Sequence, residues 1–336
     1  MSGVRAVDVS GLDPASFVVE VMAAGQPVIL RGAVADWPLT GAARFAAALI
    51  EYLGAYDAGL AAEMFVGPPT IAGRYHYGAG SDGFNFTREE TGFGAALARI
   101  LATVDQADAP SLYVGSLPAE RYLPGLAASN ALSFVPPTVA PRIWFGHRSS
   151  VACHYDTLDN IACVIAGRRR FTLYPPDAIG DLYIGPIDHT MAGQPVSLAD
   201  DSTPDDSRYP RFAAAAARAQ MVDLEAGDAV YLPKLWWHRV EATAPFNMLI
   251  NYWWDGFASG PDQPYTTMLL AMAAIAERPP AERAAWRAWF DHYVFRPDGH
   301  PLAHLPEDRH GILGPLRPDN YGRIRALVMR LLRSPR

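Results

Sequence analysis

The run His154-Tyr-Asp-Thr-Leu-Asp-Asn160, continued by Ile161-Ala-Cys-Val-Ile-Ala-Gly-Arg-Arg-Arg-Phe-Thr-Leu-Tyr-Pro-Pro176, combines a strand pair with two metal-binding residue types. Ile161 to Ile165 and Arg170 to Tyr174 are short stretches of apolar and β-favouring residues. Gly167-Arg168 between them and Pro175-Pro176 after them are turn signals, so the pair reads as two strands. Just ahead, His154 and Asp156 stand two residues apart. In extended chain that spacing sends both side chains to one side, where both can reach a single metal ion.

Working outward, the same texture recurs. Leu112 to Val114, Arg142 to Phe145, Ala229 to Leu232, Trp236 to Glu241 and Asn247 to Trp254 all read as strands, with Gly227-Asp228 and Pro233 as turns. Many short strands broken by Gly and Pro predict a sandwich or jelly roll, because each strand must bury one face against a second sheet. A third metal ligand has to come from elsewhere in that sheet, and His238 is the best candidate. It follows Gly227-Asp-Ala-Val-Tyr-Leu-Pro233 and Trp236-Trp237 and stands near the start of a later strand. Two imidazoles and a carboxylate fill one face of an octahedron and leave three positions open, the facial triad associated with iron(II) oxygenases. An isolated His-x-Asp is common; the later histidine in its turn-strand setting makes the set specific.

The flanks differ from this centre. Residues 1–110 mix helical stretches around Phe17 to Ala23 and Ala43 to Tyr52 with the short strand candidate Pro27 to Leu30, and are expected to pack on the core. Residues 111–256 form the expected core, with an irregular insertion at about 177–220 that contains Asp200-Asp201 and Asp205-Asp206. Residues 257–336 turn helical, over Tyr265 to Glu277, Ala281 to Phe290 and Tyr321 to Leu332. Met268, Leu269, Met272 and Ile275 make a face suited either to a homodimer or to covering the core.

Of the 336 residues, half are apolar and 19% are charged, the profile of a globular protein with a sizeable core. The net charge of -7 supplies no basic surplus for a nucleic-acid backbone. The N-terminus lacks the apolar core of a signal peptide, and no apolar run reaches membrane-spanning length. The two cysteines, Cys153 and Cys163, form neither a disulfide framework nor a zinc pattern, and a cytoplasmic setting is expected.

The stretch from His154 to Pro176 resembles the JmjC-type, cupin-like oxygenases, notably the asparaginyl hydroxylase acting on hypoxia-inducible factor and its bacterial relatives. Gly227 to His238, Asn251-Tyr-Trp-Trp254 and the earlier Pro27-Val-Ile-Leu-Arg-Gly32 with Asp36-Trp37 match in order, so the likeness spans about residues 15 to 256. The resemblance implies a double-stranded β-helix core with flanking helices, iron(II) held by His154, Asp156 and His238, and 2-oxoglutarate and dioxygen as cosubstrates. It places Arg169 where the family has a lysine for the distal carboxylate of 2-oxoglutarate. A guanidinium suits that task through paired hydrogen bonds but needs more room. Strand alternation sends Arg168 and Arg170 to the opposite face. Tyr113 matches a family tyrosine at the same carboxylate, and Asn160 and Asn251 match polar residues near its other end, although either amide could equally be satisfied by backbone. Val151 stands where relatives often carry a threonine that donates to the cosubstrate, and alternation turns Ser150 away.

Other residues carry less. His147 lines the mouth of the site or is a loop histidine. Arg74-Tyr-His-Tyr77 and Phe84-Asn-Phe86 form a wall of the substrate groove or part of the core. Trp236 and Trp237 alternate, which puts one in the sheet core and one near the site, and Cys153 faces away from His154. By resemblance the expected activity is hydroxylation of a protein or peptide side chain. N-methyl-lysine demethylation, a modified transfer RNA and a small metabolite are the alternatives. Two other classes stand beside these: a metal-dependent cupin enzyme that does not use 2-oxoglutarate, and a non-catalytic cupin-fold binding module.

Overall fold

Every position from Asp159 to Ala166 is buried, which is why the segment reads from Ile161 onward as an unbroken apolar run rather than an alternating one. The computed structural model describes residues 3–78, 83–106, 108–190, 193–199, 207–257, 262–315 and 317–333. The chain forms two compact units, Met1–Gly256 and Phe257–Arg336.

The first unit carries strands β1 (Arg5–Asp8), β2 (Val28–Arg31), β3 (Ala61–Gly67), β4 (Arg74–Tyr75), β5 (Thr87–Gly92) and β6 (Ser111–Pro118). The later strands are β7 (Pro141–His154), β8 (Asp159–Ala166), β9 (Arg168–Tyr174), β10 (Gln220–Glu225), β11 (Ala229–Leu232) and β12 (Trp237–Trp254). Its helices are α1 (Pro14–Glu20), α2 (Pro38–Ala42), α3 (Ala46–Gly54), α4 (Phe93–Thr103), α5 (Ala119–Tyr122) and α6 (Phe212–Ala216). All strands join one 12-stranded mixed sheet, with the main path β1-β2-β11-β8-β12-β7-β6-β3-β5; β9 pairs with β10 and β12, and β4 lies beside β7. This is the mainly β, jelly-roll architecture with flanking helices that the sequence predicts. Strands from residues 1–110 are hydrogen-bonded into the same sheet.

One expectation is corrected. The segments expected as Trp236 to Glu241 and Asn247 to Trp254 are not separate strands but belong to β12, which begins at Trp237 and is 18 residues long. Its first part pairs with β9 and its last part with β8, while β7 runs along both. A register shift between Ala242 and Phe246 marks the change of partner. Bulges let one strand bend and serve two layers, and Pro245 within the run had disguised the continuity.

Two cores follow from strand alternation. On one face Ile161, Cys163, Ile165, Met248 and Ile250 pack with Phe17 of α1, Leu49 and Leu53 of α3 and Leu97 of α4. On the other, Ala162, Val164, Phe171, Leu173, Val230, Trp236 and Leu249 pack among themselves inside the strands. The site is built on this inner face. At Gly146 a Cβ would stand 2.6 Å from the Leu112 carbonyl oxygen, so glycine is required for the close approach of β6 to β7 that brings Tyr113 inward.

In the second unit, α7 (Pro264–Ile275), α8 (Pro280–Phe290) and α9 (Pro318–Arg333) each begin with proline, whose missing N–H costs nothing at a helix start. Met268, Leu269 and Met272 are 40 to 45% exposed, and Trp289, Leu331 and Leu332 are more exposed still. No helix among the described residues is long and apolar enough to cross a membrane.

Candidate metal centre and its two cavities

β7 ends at His154, and Asp156 follows in the connection to β8 rather than in a strand, yet the chain stays extended enough for both side chains to face inward. His238, the second residue of β12, pairs across the ladder with His154. The three residues offer ligand atoms that all lie within 4.8 Å of one another, and they are the one such group found among the described residues. His238 Nε2 is 3.7 Å from Asp156 Oδ2.

Both imidazoles are oriented from behind. His154 Nδ1 lies 2.8 Å from the Ala152 carbonyl oxygen, and His238 Nδ1 lies 2.9 Å from that of Trp236. A carbonyl only accepts, so each Nδ1 carries a proton and each Nε2 is left as the nitrogen available to a metal. Burial, then the neighbouring His238, pushes the His154 pKa down to about 4, which keeps it neutral at physiological pH. Asp156 is held from the side: its Oδ2 accepts from Asn160 Nδ2 at 3.0 Å and from Trp253 Nε1 at 3.1 Å.

Asn160 and Asn251 are satisfied by side chains, not by backbone. Trp144 Nε1 donates to Asn251 Oδ1 at 2.6 Å, Asn251 Nδ2 donates to Asn160 Oδ1 at 3.2 Å, and Asn160 donates onward to Asp156. Every amide in this chain has its orientation set by a donor on one side and an acceptor on the other. Sequence reasoning missed Trp144 and Trp253. For Trp253 the available signal was alternation, which puts it on the strand face of Asn251, whereas Trp144, opposite Leu249 on β7, is brought in only by the strand pairing.

Two cavities meet at the triad. The smaller, about 70 Å³, runs from His154, Asp156 and His238 to Arg169 and Tyr113, with Val151, Ala162, Phe171 and Leu249 as apolar walls. Arg169 is 4% exposed, and its Nε is sealed from solvent with no hydrogen-bond partner among the described residues. Its neighbours Arg168 and Arg170 turn outward to Glu225 and Asp223. A guanidinium stays protonated in proteins, so a buried one without a carboxylate calls for an anion. Burial pushes the Tyr113 pKa up to about 12, so its hydroxyl remains a donor beside that cation. A dicarboxylate with one end at the triad and the other at Arg169 and Tyr113 fits this donor set. Ser150 faces away and accepts from Arg239.

The larger cavity, about 200 Å³, reaches His154 and Asp156 from the other side. Tyr75 and Phe86, from the two aromatic segments singled out in the sequence, line it together with Phe65, Trp144, Trp253 and Val196. Gln194 and Val196 bring the 177–220 insertion into this wall; Asp200-Asp201 and Asp205-Asp206 lie outside the described residues. Two expectations are corrected. His147 is neither at the mouth nor in a loop: it sits in β7, accepts from Leu112 N and contacts the Ile100 carbonyl at the end of α4. Neither Trp236 nor Trp237 lines the cavities; both are buried in separate cores. Cys153 does face away from the triad, into a third cavity.

The sequence matches the family model described as cupin-like domain over residues 14–260. It is 35% identical to lysine-specific demethylase JMJ31 of Arabidopsis thaliana over 107 residues, 30% of this chain and 18% of that protein. Over 147 residues it is 31% identical to HSPB1-associated protein 1 of Bos taurus, covering 42% of this chain and 30% of that one. Identity to tRNA wybutosine-synthesizing protein 5 of Gallus gallus is 34% over 101 residues, 30% of this chain and 29% of the relative. The chain thus spans less than a third of the length of these relatives.

Proposed function

The chain belongs to the cupin-like domain family, whose members are commonly iron- and 2-oxoglutarate-dependent oxygenases, and from that premise we propose that it is an oxygenase of this kind, hydroxylating a protein or peptide side chain. The observation that carries the proposal is a His-Asp-His set sharing one small cavity with a buried Arg169 that has no carboxylate partner among the described residues.

Iron(II) and 2-oxoglutarate, when bound, supply the oxidation of a C–H group to an alcohol by dioxygen, with release of succinate and carbon dioxide. His154, Asp156 and His238 would hold the metal on one face, leaving positions for the cosubstrate and dioxygen. Asn160 and Trp253 orient the Asp156 carboxylate. Arg169 would grip the distal carboxylate of 2-oxoglutarate through two parallel bonds, with the Tyr113 hydroxyl donating beside it. Val151, Phe171 and Leu249 keep that end dry, so the charge pair forms in a low-dielectric setting where it is strong. Val151 offers no donor, and Arg169 is the principal anchor.

The names of two relatives, a lysine-specific demethylase and an HSPB1-associated protein, support a protein as substrate or partner. The net charge of -7 weighs against transfer RNA. Association of two copies through the C-terminal helices is part of the same reading, on the strength of their exposed apolar residues.

The test is an anaerobic titration of the iron(II) protein with 2-oxoglutarate, monitored for a visible metal-to-ligand charge-transfer band. The band should develop in the wild type, be absent in Asp156→Ala and need far more 2-oxoglutarate in Arg169→Ala. Stoichiometric iron without a band would remove 2-oxoglutarate and favour a cupin enzyme that works without it.

A further inference from the structure

The larger cavity is where a substrate group meets His154 and Asp156, and its walls are rings. Among the described residues that line it, the only carboxylate is Asp156, whose Oδ2 already accepts two hydrogen bonds. An ammonium group entering here finds no free counter-charge, and burying an unpaired charge is strongly disfavoured. Ring faces are the remaining means of holding a cation. Two of those rings, Phe65 and Trp253, already carry a cation. Phe65 stacks on Phe86 with centroids 4.6 Å apart, and the Arg88 guanidinium lies 5.1 Å from the Phe65 ring. The Arg142 guanidinium lies 5.8 Å from the Trp253 ring, and Trp144 meets that ring edge-on. Two walls thus carry a guanidinium, and a second cation on the same rings is repelled.

Arg142 has a further property. It lies on β7 two residues before Trp144 and so on the same strand face, half-buried. Its Nε donates to Ser116 Oγ at 2.7 Å and its Nη2 to the Ser116 carbonyl at 2.6 Å. No carboxylate pairs with it among the described residues, and Nη1 is left unspent. Ser116 lines the cavity and sits at φ 57°, in the left-handed region that a serine rarely adopts. Such strain persists only where the surroundings over-determine it, and here the two bonds from Arg142 do so. The result is a guanidinium fixed beside the cavity with donor capacity to spare.

We infer that the cavity takes an uncharged side chain, while Arg142 receives a carboxylate carried by the same substrate, so that N-methyl-lysine is not the target. The carboxylate is supplied either by an acidic residue near the target in a peptide or by a small carboxylic acid itself. Which group is then oxidised rests on the oxygenase reading above; the binding preference does not.

The experiment is binding of the manganese(II), 2-oxoglutarate-loaded protein to a random peptide array that includes N6-trimethyl-lysine among its building blocks. N-acetyl amino acids with free carboxylates are titrated calorimetrically alongside. Retained peptides should carry Asp or Glu close to an uncharged residue. Arg142→Gln should reduce that acidic preference about tenfold, and Arg142→Lys, which keeps the charge, should restore most of it. An N-acetyl amino acid that binds as tightly as the peptides, with the same dependence on Arg142, supports the inference and assigns the carboxylate to a small acid. Enrichment of trimethyl-lysine, an Arg142→Gln profile like the wild type, or no selective binding by a protein that does take up 2-oxoglutarate would each overturn it. Failure of the wild type to take up 2-oxoglutarate would instead count against the oxygenase reading.

Discussion

Arg169 separates folding from function at the level of a single side chain. A buried guanidinium with no carboxylate partner among the described residues destabilises the ligand-free protein, and the same lack makes it a candidate anion site. Arg169→Met should therefore raise the melting temperature of the ligand-free protein while weakening 2-oxoglutarate binding by about 30-fold or more, as for truncation of a buried charge pair. Thermal shift with and without 2-oxoglutarate tests both halves; a lower melting temperature together with unchanged affinity would remove Arg169 from the site. His154 gives a pH dependence. Its folded pKa, about 4, lies below the ordinary 6.5, chiefly through burial and then through His238. The unfolded chain takes up this proton first as pH falls, so stability is intact above pH 6.5 and is lost progressively down to about pH 4. Metal-free His154→Gln should show a shallower loss of stability over that window than the metal-free wild type in parallel urea melts. At this scale the residue types of the candidate triad and their order were legible in the sequence. The amide chain from Trp144 to Asp156 was not, because hydrogen-bond partners far apart in sequence leave no local signal.

At the scale of elements, Asp159 joins three of them. Buried at the start of β8, it accepts from the Tyr231 hydroxyl at 2.9 Å and from Gly256 N at 3.2 Å, with the Lys234 Nζ 3.5 Å away. These contacts tie the turn before His238 and the end of β12 to β8. Asp159→Ala leaves Tyr231 and Lys234 without this acceptor and should cost about 3 kcal/mol, with weaker iron binding because the turn leading to His238 is released. Asp223→Ala, which breaks the exposed pair with Arg170, should cost less than about 1 kcal/mol. Urea denaturation compares them, and equal losses would show that the Asp159 contacts are not a structural tie. Asp159 was visible in the sequence only as part of a family motif. Likewise the insertion around residues 177–220 has no strong period, and its part in the cavity wall through Gln194 and Val196 emerges only on folding.

For the whole molecule, the second unit carries a set of exposed apolar side chains. Leu331 and Leu332 are 64% and 58% exposed, and Met268, Leu269 and Met272 are each at least 40% exposed. Light scattering should give twice the monomer mass at micromolar concentration, and the double substitution Leu331→Glu, Leu332→Glu should give the monomer with 2-oxoglutarate binding retained. A monomeric wild type would end the dimer reading.

What the sequence determined by itself was the class of fold and the residue types of the candidate triad in their order, because β-alternation, Gly and Pro turns and the His-x-Asp spacing are local properties that survive without neighbours. The continuity of β12, the isolation of Arg169 from any carboxylate among the described residues, and the gathering of Phe65, Trp144 and Trp253 around one cavity were decided by the tertiary structure. Each depends on which distant strands lie side by side, and burial and pairing are properties of that arrangement rather than of any segment.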